Sequence, residues 1–221
     1  MATFDEFLET KFEEARNEND REVLAAVERR DKDLVIRCEN HLRTKMTAAE
    51  RATHTVDSIL QLIKTSAVVR SMFRKDPGRQ SIHEKAQIDW IRMHLHSDAV
   101  KMRADIGGRC LSNRKFHEVV GTRRPSDSTK TLDLHVPSKN LFGILKYTAS
   151  GGGAQDNQLR DVKHFVREAV GYLEDNPRAE ECFALYLDGA YYTEKIIKGI
   201  EIPDALKSRI MITNCASILP K

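Results

Sequence analysis

An aspartate at 133 and a lysine at 146 sit in two β-type runs, TLDLHV (131–136) and LFGILKYTA (141–149), joined by the short sequence PSKN. The alternating pattern and the Pro/Asn turn predict a hairpin, which places the carboxylate and the ammonium on neighbouring strands. Such a pair suits metal-assisted hydrolysis of a phosphodiester. A carboxylate holds a divalent cation, and a nearby ammonium steadies an attacking hydroxide and the charge that builds on phosphate. The glycines of 151–153 follow and would let a phosphate approach the backbone N–H groups that open the next helix. No Walker-type lysine comes after them.

The elements that must position this pair are legible in outline. From Phe4 to about Lys75 apolar residues recur at helical spacing without a proline, and Thr47-Ala-Ala-Glu50 is a capping box expected to open the helix carrying Val56, Ile59, Leu60 and Ile63. Asp76-Pro77-Gly78 breaks that region, and Ser81-Ile82-His83-Glu84 is expected to open a helix through Ile88, Ile91 and Leu95. Beyond the hairpin the pattern predicts a helix over 155–174 with the stripe Leu159, Val162, Val166 and Leu173. It then predicts a buried strand over 182–189, a short helix over 192–200 and a last strand over 209–215. The expectation is an α/β (α+β) fold, a small mixed sheet flanked by helices, with an N-terminal helical region at 1–78 and the α/β domain at 79–221.

Charge is unevenly spread behind a formal balance of +3. Residues 1–33 hold six Lys/Arg against eleven Asp/Glu, whereas residues 64–130 hold fifteen against seven. The second field draws in phosphate backbones and directly precedes the hairpin. Arg123, Arg124 and Lys130 are its members nearest the Asp/Lys pair. Four dispersed cysteines without a CxxC pair suggest neither a zinc site nor a disulfide framework, no apolar run reaches membrane-spanning length, and the acidic start is the reverse of a leader sequence. A cytoplasmic setting without a membrane partner is expected.

Taken in order, Glu84 on its helix, Arg123-Arg124-Pro125-Ser126-Asp127, the hairpin ending at Lys146 with SGGGAQDNQ after it, and FALYLDGAYY leading to RIMITNC resemble the cleavage domain of FokI-type restriction endonucleases. That family lies within the PD-(D/E)xK nuclease superfamily, and the resemblance covers Gln80 to Cys215. It implies a restriction-endonuclease-like core, Mg²⁺ (or Mn²⁺ in its place) as cofactor, double-stranded DNA as substrate and a homodimer or partner subunit. It also implies that Lys146 activates or orients water and that Gln158 contacts phosphate or orients the lysine.

For the strand acid two candidates stand. Asp127 has a spacing to the lysine like that of such domains, and Asp133 is preferred because a strand gives a metal ligand rigid support. Two residues before the lysine the family carries Asp or Glu, and here stands Ile144, whose alkyl group cannot ligate a hard cation. A relocated acid, Glu84 or Asp156, an engineered change, or a silent DNA-binding subunit would account for it. Asp161 and Glu168, opposite the apolar stripe, are expected to face solvent, and His135 to point away from Asp133.

Overall fold

The computed structural model describes residues 2–75, 81–105, 107–119, 125, 127–149 and 153–218, without the side chains of 153–155. The chain divides into two compact units, Glu9–Ile82 and Met1–Leu8 with His83–Lys221.

The first unit is helical. It contains most of α1 (Phe4–Glu28), then α2 (Lys32–Lys45), α3 (Ala48–Thr53), α4 (Val56–Thr65) and α5 (Ala67–Phe73). Val23, Val27, Leu34, Cys38, Ile59, Leu60, Ile63 and Phe73 form its core. The Thr47–Glu50 box exists, with the Glu50 carboxylate accepting from Thr47 N at 2.7 Å. It caps the short α3, however, and a second reciprocal cap between Thr55 and Ser58 opens α4. The expected single helix start is therefore two starts. His54 intervenes with extended backbone, and both caps satisfy amides that the break would otherwise orphan.

The second unit is α/β. A five-stranded mixed sheet runs in the order β1 (Val100–Lys101), β4 (Leu134–Val136), β5 (Leu141–Tyr147), β6 (Cys182–Asp188) and β7 (Ile210–Thr213). β1–β4 and β4–β5 are antiparallel, whereas β5–β6 and β6–β7 are parallel. A separate hairpin joins β2 (Arg109–Ser112) to β3 (Lys115–Glu118). The turn between β4 and β5 closes on Asn140, whose φ of 44° is the left-handed conformation that asparagine tolerates.

Helices flank the sheet. On one face α7 (Gly153–Asp175) sets Val162, Phe165, Val166, Ala169 and Leu173 against Phe142 and Ile144 of β5 and Phe183, Leu185 and Leu187 of β6. α6 (Ile82–His94) meets the alternate residues: His83 stacks on Tyr147 at 4.0 Å, and Gln87 bonds Asp188 at 2.6 Å. Trp90 of α6 donates to Cys215 O and packs under Phe4 and Phe7. A short α8 (Glu194–Lys198) precedes β7. Among the described residues no helix is long and apolar enough to cross a membrane.

Candidate functional site

Asp133 stands where the incoming chain changes partners. Thr129 N and Leu132 N donate to Leu111 O and Arg109 O of β2, and one residue later Asp133 N donates to Gly143 O of β5. Asp133 O accepts from Met102 N just past β1, and its Oδ2 accepts from Leu145 N at 2.8 Å. Asp133 thus precedes β4 instead of lying inside a strand over 131–136 as expected; its backbone is held by Gly143 and Met102, and its carboxylate by the Leu145 N–H. The chain leaves β5 at this point, so the C-terminal end of β5, with Lys146 on it, lies beyond the paired part of β4.

The electrostatics converge on this carboxylate. Burial pushes the Asp133 carboxyl above its ordinary value, Lys146 and the Leu145 N–H pull it back, Glu84 raises it and Lys101 lowers it. Two ammonium groups and a second acid therefore act on its charge. Glu84 comes from α6 and its Oε1 lies 2.6 Å from Lys101 Nζ. Glu84 does not close the box that the Ser81-x-x-Glu84 spacing suggests: Ser81 has a φ of 54°, not the extended backbone of an N-cap, and the glutamate reaches across to β1.

Ile144 is 4% exposed and belongs to the core under α7. Alternation along β5 places Lys146 on that same face, one pleat further toward the strand end. His135 stacks flat on Phe142, its cross-strand partner, at 4.3 Å. This places His135 on the face that Phe142 presents to α7.

Buried polar groups fix the end of β5 from both sides. Gln87 donates from one amide nitrogen to Lys146 O at 3.3 Å and to Asp188 Oδ2 at 2.6 Å, while Asp188 Oδ1 accepts from Cys215 N. Gln87 and Asp188 are 1% and 3% exposed, and burial raises the Asp188 carboxyl despite these donors. Thr148 donates its hydroxyl to Gln158 Oε1 at 2.7 Å, which ties the first turns of α7 to β5 two residues past the lysine. Gly189, at φ +93°, permits the closeness of the two strand ends: a Cβ there would lie 2.2 Å from Thr148 O.

Lys146 and Glu84 act on the charge of Asp133, and Gln158 bonds Thr148, two residues past the lysine. The other candidates do not join them. Asp127, at φ 58°, and Asp156 are exposed and are absent from the charges acting on Asp133. Lys130 is held by Asp161 at 2.6 Å, so Asp161 does not simply face solvent. Glu168 does not either, since it accepts from Arg114 N and its side chain is 12% exposed. Arg123 and Arg124 lie outside the described residues.

Sequence reasoning missed Lys101, Gln87 and Asp188. Asp188 had a signal, a lone acid ending an apolar strand, but Gln87 and Lys101 had none. Among the described residues no group of three or more His, Cys, Asp or Glu is disposed to hold a metal ion. Two carboxylates remain, one half-buried and raised by desolvation, and their hard oxygens suit a small divalent cation that keeps several of its waters.

Comparison of the chain with family models, with curated proteins and with solved structures finds no match.

Proposed function

We propose that this chain is a metal-dependent endonuclease of the restriction type, a divergent PD-(D/E)xK nuclease that hydrolyses phosphodiester bonds in double-stranded DNA. What supports the reading is that Lys146 and Glu84 both act on the charge of an Asp133 carboxyl that burial raises and the Leu145 N–H holds, beside the C-terminal end of β5. A divalent cation would be held by Asp133 and Glu84, and when bound it supplies Lewis acidity toward the phosphoryl oxygen and a more acidic water. The Leu145 N–H fixes one oxygen of Asp133, which would leave the other for the cation. Lys146 would place its ammonium where the pentacovalent phosphate gains negative charge, beside a carboxylate that burial partly shields from water. Gln87 and Gln158 hold the strand from which the lysine projects.

A plasmid nicking assay with Mg²⁺ or Mn²⁺ tests this. Wild type is expected to nick, and Lys146→Ala to lose about 10²–10³-fold in rate, the scale of removing one preorganised charge-stabilising donor. Undiminished cutting by Lys146→Ala would remove the assignment. A second reading, a DNA-binding or regulatory subunit without catalysis, is favoured by one observation: Ile144 fills the core where the resembled family carries an acid. Duplex binding without cleavage under any divalent metal is its signature.

A further inference from the structure

Lys101 lies on β1 directly across from Leu134, the residue after Asp133, and the next amide, Met102 N, donates to Asp133 O. Its backbone is therefore as firmly placed against the site as that of Asp133. From there its ammonium reaches α6 and stands 2.6 Å from Glu84 Oε1, with the two side chains 48% and 26% exposed. The same ammonium also acts on Asp133. A cation approaching both carboxylates would meet a positive charge already bonded to one of them.

We infer that Lys101 is a positioning residue of this site: it holds Glu84 and competes with the divalent cation for that carboxylate, so that the metal affinity is set by the exchange of one cation for another. The inference rests on the nuclease reading and deepens it. With Ile144 withholding a carboxylate, the proposed site has Asp133 and Glu84 to offer, and Lys101 is already paired with one of the two. The metal requirement of the protein is then a property of a lysine that ligates nothing. A lysine serving only to tie β1 to α6 would change stability on removal but not metal affinity.

Mn²⁺ binding followed by electron paramagnetic resonance, on the full chain at low ionic strength, separates these. Lys101→Met is expected to bind Mn²⁺ about fivefold more tightly, the scale of releasing a partly exposed ion pair. Lys101→Arg is expected to stay near wild type. Lys198→Met, which breaks a pair with Glu194 on α8, is the charge control and leaves the affinity unchanged. In the nicking assay the Mg²⁺ concentration for half-maximal rate should fall by the same factor in Lys101→Met. Unchanged or weaker Mn²⁺ binding in Lys101→Met, with thermal unfolding still cooperative, overturns the inference while leaving the nuclease reading intact. If Glu84→Gln and Asp133→Asn bind Mn²⁺ as wild type does, the metal site itself is misplaced, and both fall together.

Discussion

A carboxylate that burial keeps above its ordinary pKa is a burden on the fold. For Asp133 the sign follows from proton linkage: the folded chain binds the proton more tightly than the unfolded one, so stability falls as pH rises from the ordinary value of 3.8 through the raised one. Asp133→Asn keeps an acceptor for Leu145 N and removes the charge. In EDTA at pH 7.5 it should melt a few degrees above wild type, and the gain should vanish near pH 3, where both forms are neutral. Added Mg²⁺ should raise the melting temperature of wild type alone. Circular dichroism melts at the two pH values decide it, and a variant no more stable than wild type at pH 7.5 would mean that the aspartate is well solvated.

Ile144 makes the complementary prediction. Placing a carboxylate there in EDTA buries an unpaired charge, and Ile144→Glu is expected to cost about 3 kcal/mol or more. Mg²⁺ should return part of that loss, since position 144 lies opposite the chain bearing Asp133; no recovery would show that the new acid cannot reach the cation.

Much of this scale was legible in the sequence. Asp133 and Lys146 announced themselves because an acid and a base interrupted strongly apolar alternating runs. Lys101 and Gln87 were not legible, because their importance comes from what a non-local strand and helix bring to them. Asp127 matched a spacing but sits in an exposed turn, where spacing says nothing about direction.

At the scale of elements, the site depends on two strand ends being allowed to touch. Gly189→Ala is expected to destabilise the protein by about 2 kcal/mol or more, because it joins a left-handed backbone cost to a collision with the Thr148 backbone. It should also depress nicking more than Gly199→Ala, where an added Cβ meets only ordinary contacts from 3.4 Å. Equal melting temperatures for the two variants would refute the close-approach argument.

The hairpin, α7, β6 and β7 followed from period and turn chemistry because each carries a long apolar stripe. β1 and the β2–β3 pair did not, since two to four residues are too few for a period to emerge. Their existence is decided by partners, Leu134 for β1 and the Arg109–Glu118 and Cys110–His117 pairings for the hairpin. The helical region was recognised as helical and the Thr47 box marked the new start after Met46, but the break at His54 was hidden, because a capping box marks a start without saying how long the helix runs.

At the scale of the whole molecule, the charge asymmetry makes a prediction independent of catalysis. Duplex binding should weaken linearly in log–log form as salt rises, and a protein making several phosphate contacts loses about tenfold or more between 50 and 200 mM salt. A flat salt profile would exclude a backbone-dominated interface.

The lone tryptophan offers a different handle. Trp90 is 3% exposed and boxed in by Phe4, Phe7 and His94, all within the α/β unit or on α6 itself. Its emission therefore reports on one hydrophobic core and is silent about the other, whereas ellipticity at 222 nm sums helices from both. Denaturant titrations read by the two signals are expected not to superimpose. An amino-terminal truncation of eight residues should shift the fluorescence midpoint first, even though the removed segment lies some eighty positions upstream of the indole it shelters.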